Sequence, residues 1–155
     1  MSELRRAASQ AGASAILVYL GLAIATMLAG LVLRLVPLGL PYPLVKWGGS
    51  VLWAAMVYWI LAALMPYVRV LIVALAAGVV AGLVESLRLY HSPGLDAFRL
   101  TLAGVLLLGR VFSRWHLAVY WATIAVVSLL DRGLVRQWVR GGKSRPNLGP
   151  RAGQS

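Results

Sequence analysis

The chain has 155 residues, 61% hydrophobic and 12% charged, with a net charge of +11 and no cysteine. A soluble domain of this size is nearer half apolar and a quarter charged, so composition points to an all-α polytopic membrane protein. Without cysteine, a disulfide framework, thiolate chemistry and cysteine-ligated metals are excluded.

The positive charge does not signal nucleic acid. Basic residues fall at the ends of apolar runs and in the C-terminal tail, as in inner-membrane proteins, and no nucleic-acid motif is present. The expected partner is the lipid bilayer, with no nucleic acid and no cofactor.

About 20 helical residues cross a bilayer. Residues 7–33 form the first such run, and its length exceeds the ~7–15 residues of a secretory signal's apolar core, so it is read as a retained span. "RLVPLGLPYPLVKW" follows, with three prolines, and is expected to be an extended, non-helical loop. Residues 47–68 form the second span. Residues 70–84 form a third, which reaches span length with Glu85 and Arg88 near its far end. Residues 115–130 form the fourth, carrying His116 near its start and stopping at Asp131. Tyr42, Trp47, Tyr67, Tyr90 and Trp115 stand where spans should end, as interfacial aromatic belts do.

Between spans three and four, "AFRLTLAGVLLLGRVF" leaves only residues 100–109 uninterrupted by arginine, which suits a short interfacial or re-entrant helix. Four spans with a cytoplasmic N-terminus put Arg5, Arg6, Arg69 and the six basic residues from Arg132 onward inside. Arg34, Lys46, Arg88, Arg99, Arg110 and Arg114 then lie outside. A fifth span would reverse this positive-inside bias. The expected setting is a bacterial plasma membrane with both termini cytoplasmic.

The chain divides into a membrane-embedded domain, 1–131, and a cytoplasmic segment, 132–155. Arg132, Arg136 and Arg140, four apart, predict a basic amphipathic helix on an anionic leaflet, followed by a flexible polar tail. "GGKS" in the tail is not a phosphate-binding loop, because that motif needs Gly where Gln137 stands.

The stretch "ESLRLYHSPGLDAFRLT" holds two of the four acidic residues, in matching frames: Glu85-x-x-Arg88 and Asp96-x-x-Arg99. Ala74, Gly78, Gly82 and Ser86 form a stripe of small residues that predicts a helix–helix interface. Glu85 projects from nearly the same face and is expected to point into the bundle or its mouth. Local pairs with Arg88 and Arg99 are open to the two acids. A Glu85–Arg99 pair across the Ser92-Pro93-Gly94 turn is favoured, with Asp96 capping the next helix.

Glu85, Leu89-Tyr90, Leu95-Asp96, Arg99, Thr101, Gly104, Gly109, Phe112 and Tyr120 together resemble a bacterial membrane family known as domain of unknown function 2809. The pattern is similar to the VanZ-like proteins linked to glycopeptide (teicoplanin) resistance. The resemblance implies a four-span fold and a polar cluster on the outer face. Two positions depart from the family pattern: Arg88 replaces Gln, and His116-Leu117 replaces Asp-Leu.

Glu85, Arg88, Tyr90, Asp96, Arg99 and His116 are therefore the candidate ligand-binding residues, with no catalytic residue assigned. Guanidinium groups at 88, 99, 110 and 114 suit an anionic lipid or lipid-linked envelope precursor. A membrane-embedded enzyme acting on lipid-linked envelope material, with Glu85 as base and His116 as acid, is the alternative. In a third reading the ion pairs only pin a scaffold. Glu85, His91, Asp96 and His116 are metal-ligand types, but their spacing fits no metal motif and adjacent arginines oppose a cation, so no metal is expected.

Overall fold

The computed structural model describes residues 2–87, 93–101, 104 and 114–137. Its elements are α1 (Ser2–Leu35), α2 (Tyr42–Leu64), α3 (Val70–Leu87), the short α4 (Pro93–Leu100) and α5 (Arg114–Leu130). A π-helical turn, Asp131–Val135, continues α5 without a break, and no strand occurs among the described residues.

Four segments are long and apolar enough to cross a membrane: Gly12–Leu35, Tyr42–Leu64, Val70–Leu87 and Trp115–Val135. Their outward faces carry Leu17, Ile24, Leu28, Leu71, Val79, Leu83 and Leu129, all at least half exposed. Only hydrocarbon suits so much apolar surface on helices of this length. The chain is a multi-pass membrane protein.

Prolines set the helix boundaries. α1 stops at Leu35, two residues before Pro37, whose ring disfavours helical backbone in the preceding residue. The proline-rich connection is shorter than sequence reading expects. Pro41 is the N-cap of α2, with extended dihedrals, and Pro43 lies in its first turn. There the missing N–H matters little, because the first turn's donors have no intrahelical partner anyway. At the other end α2 stops at Leu64, ahead of Pro66, although the apolar run continues to Val68.

α2 is the centre of the bundle. It packs against α1, α3 and α5, and α3 also packs against α5. Small residues allow these approaches: Ala54, Ala62, Ala77 and Ala81 are essentially inaccessible. In lipid, apolar burial gains little and close packing carries helix association. Larger side chains fill the remaining space, with Tyr19 stacked on Trp59 at 6.0 Å and Tyr58 edge-on to Trp59 at 5.2 Å. Three aliphatic hydroxyls along the spans return to their own helix: Thr26 donates to Leu22 and Ala23 carbonyls, Ser86 to Gly82, and Ser128 to Ala125. Such local bonds are how lipid-embedded hydroxyls avoid an unmet donor.

The small-residue stripe of α3 is an interface over half its length. Ala74 and Gly78 are buried, Gly82 is half-buried and Ser86 is exposed. The indole of Trp121 on α5 lies against Gly78, and any side chain at 78 would overlap that ring. Tyr42, Tyr67 and Trp115 stand exposed at helix ends, as belt residues should.

Candidate functional site

Two buried carboxylates occupy opposite ends of the bundle. On α3 the buried positions Val73, Ala77, Ala81 and Glu85 recur every four residues, so the packed stripe ends on a glutamate. On α5, Tyr120, Thr123, Ile124, Val127 and Asp131 face inward, and His116 lies one turn before Tyr120. Since α3 and α5 pack together, the far end of one stripe meets the near end of the other. His116 Nδ1 stands 3.8 Å from Glu85 Oε1, and Glu85 is 1% exposed.

Aromatic rings flank the imidazole of this pair. Trp47, at the start of α2, meets the His116 ring edge-on at 5.6 Å, and the Lys46 ammonium lies 5.3 Å from the centre of the Trp47 ring. Tyr120 lies 6.2 Å from His116 on the other side and 5.1 Å from Trp53. A carboxylate and an imidazole within reach of one shared ligand atom, walled by indole and phenol, can accept and donate hydrogen bonds or relay a proton.

Asp131 anchors the other end and is fully inaccessible. Tyr19 of α1 donates to its Oδ1 at 2.8 Å, and Tyr58 of α2 donates to Oδ2 at 2.8 Å. Arg136 Nε donates to the same Oδ2 at 3.1 Å, while its Nη1 donates to the Val68 carbonyl at 2.6 Å. Asp131 and its Arg136 partner thus join α1, α2, the α2–α3 turn and the end of α5. The π-turn explains the reach. In an α-helix, residues five apart project about 140° from one another, whereas a wider turn brings them back onto one side.

Residues 40–124 match the family described as "Protein of unknown function (DUF2809)". That is more than half of the chain. The chain belongs to this family. Neither the curated proteins nor the solved structures include a match to it. The stretch matched to DUF2809 contains Glu85, His116, Trp47, Trp53 and Tyr120, but of the Asp131 centre it contains only Tyr58 and Val68.

Of the residues singled out by sequence, the structure brings Glu85 and His116 together. Asp96 lies half-buried within the first turn of α4, not at its N-cap, because the helix already starts at Pro93. Arg88, Tyr90 and His91, the side chain of Arg99, and most of residues 100–109 lie outside the described residues. The local and crossed pairs with Arg88 and Arg99 therefore lie outside them too. Among the described residues, no group of three or more metal-ligating side chains occurs.

Sequence reading missed the Asp131 centre and the aromatic wall. The spacing of Arg132, Arg136 and Arg140 predicts Arg136 on a basic stripe against an anionic leaflet, and the structure instead turns it inward, 14% exposed, onto Asp131. The available signal lay in Tyr19 and Tyr58. A phenol in the middle of an apolar span needs an acceptor, and an acidic residue inside a span is the natural one.

Proposed function

We propose that this multi-pass membrane protein holds an anionic amphiphile at the end of the bundle where Glu85 meets His116. The approach of these two side chains behind Trp47 and Tyr120 carries the reading. In this role Glu85 and His116 supply an acceptor and a donor to the uncharged part of a head group. By chain position the same end receives Arg34, Lys46, Arg88, Arg99 and Arg114, whose charges suit phosphate. The end faces outward from a bacterial plasma membrane, with both termini cytoplasmic. The positive-inside bias supports this orientation, and the resemblance to VanZ-like proteins supports an envelope-facing role.

A second reading is favoured by the same contact. Glu85 as general base and His116 as general acid would make the site an enzyme acting on lipid-linked envelope material, since acid–base pairs often stand apart until substrate binds.

Native mass spectrometry of the purified protein separates these readings. A binder retains a lipid that Arg88→Ala and Arg99→Ala release. An enzyme retains its lipid in Glu85→Gln and His116→Asn but stops turning it over. No retained lipid in the unmodified protein leaves a scaffold and overturns the binding reading. For orientation, cysteines at Gly39 and Ser92 should label from outside intact cells, and a cysteine at Ser144 only after permeabilisation.

A further inference from the structure

The sequence and the structure assign Arg136 to two different places. By sequence it falls four residues after Arg132, so an α-helix would set both guanidinium groups on one face toward the membrane surface. In the structure the π-turn Asp131–Val135 takes Arg136 off that face and onto Asp131. The neighbouring basic groups, Arg69 and Arg132, stay exposed at this end.

The inward contact is incomplete. Asp131 Oδ1 takes the Tyr19 hydroxyl, and Oδ2 is shared between Tyr58 and Arg136. The guanidinium therefore reaches the carboxylate through Nε alone, without the two parallel bonds of its strongest pairing. Its Nη2 is buried with no hydrogen-bond partner. A phosphate group, with several oxygens, satisfies more of the fork than this carboxylate does. When Arg136 leaves, Tyr19 and Tyr58 still donate one bond each to Asp131.

We propose that Arg136 is a two-position latch, held either by Asp131 within the bundle or by the phosphates of anionic lipids at the membrane surface. The π-turn and the ion pair depend on each other. Release of Arg136 lets residues 131–135 return to α-helical register, which adds one residue of phase at Arg136 and Gln137. The segment after Val135 then rotates by about 100° about its axis and presents Arg132 and Arg136 together. Anionic lipid density at the Asp131 end sets the orientation of Arg136 and Gln137. This inference is independent of any ligand at the Glu85 end.

The test uses the full chain with spin labels on Leu64→Cys and Gln137→Cys, both exposed positions, reconstituted in phosphatidylcholine alone or with phosphatidylglycerol. Pulsed electron-spin resonance should give one distance in neutral lipid and a second population in anionic lipid, displaced by on the order of 5 Å, the arc a helix-borne label sweeps. Asp131→Asn should show the second population already in neutral lipid. Should that variant not fold, Arg136→Gln serves instead: it should give the released distance in both lipids. The latch is overturned if the unmodified protein gives one distance in both lipids. It is equally overturned if Arg136→Gln keeps the neutral-lipid distance or still responds to phosphatidylglycerol.

Discussion

Glu85 and Asp131 are both buried carboxylates in a membrane bundle, and the described side chains around them differ in kind. Asp131 takes three side-chain donors from α1, α2 and the turn beyond α5, all within 3.1 Å. Glu85 meets His116 at 3.8 Å, and the imidazole packs against Trp47 and Tyr120. The two lie about 23 Å apart along the bundle, taking the fifteen residues from His116 to Asp131 on α5. A carboxylate saturated by close donors ties helices together. One that lies beside an imidazole, itself a proton carrier, is placed for chemistry or for a ligand.

The sharpest break of this comparison is Asp131→Ala. It leaves two phenols without their acceptor and removes the group that holds Arg136 inward, and breaking a buried ion pair by removing one partner costs about 3–5 kcal/mol. Thermal unfolding in detergent should show the largest loss of any single change here. Asp131→Asn should lose less, because one carbonyl oxygen still accepts. A stability within error of the unmodified protein would mean that the centre does not hold the bundle.

Tyr19→Phe and Tyr58→Phe come next. Each removes a hydrogen bond to a charged acceptor, with a loss of about 1.5–3 kcal/mol. The two losses should be less than additive, since both phenols serve one carboxylate. Full additivity in a double-mutant cycle would mean the two bonds act independently.

Gly78→Ala tests what brings the Glu85 end together. Its methyl would overlap the Trp121 ring, and overpacking of this kind costs about 1–3 kcal/mol. Trp121→Ala in the same chain should restore most of the loss. Without that rescue, the indole is not what fills the small-residue face.

How far the sequence carried follows from the same residues. Apolar run length and the distribution of arginine are enough for four spans, because both are set by the bilayer and not by tertiary detail. Run length does not report where a helix starts or stops. Pro41 and Pro43 sit at the entry of α2 and not in a loop, and Pro66 ends it before its apolar run does. The inward direction of Glu85 was legible because it shares the face of Gly78 and Gly82 at helical spacing. Its meeting with His116 needed the packing of α3 on α5. The Asp131 centre escaped because periodicity arguments assume 3.6 residues per turn, and a π-turn shifts the phase of Arg136 with no sequence mark of its own. Tyr19 and Tyr58 did carry a mark, as hydroxyls in hydrocarbon with no acceptor in their own runs.

His116→Asn is the change with the smallest expected effect on stability, and it separates the two ends most cleanly. The imidazole contributes ring contacts with Trp47 and Tyr120, worth about 0.5–1.5 kcal/mol each in favourable geometry. Its contact with Glu85 at 3.8 Å adds little direct bonding. Asparagine keeps a polar group near the carboxylate, so the loss in detergent should stay near 1 kcal/mol, well below that of Asp131→Ala. The same change should be felt strongly in function. Glu85 loses a neighbour that can both donate and carry a proton, so lipid retention or turnover should fall while the folded fraction does not. If His116→Asn unfolds the protein as readily as Asp131→Ala, the Glu85 end is a structural tie like the other, and the site assignment fails.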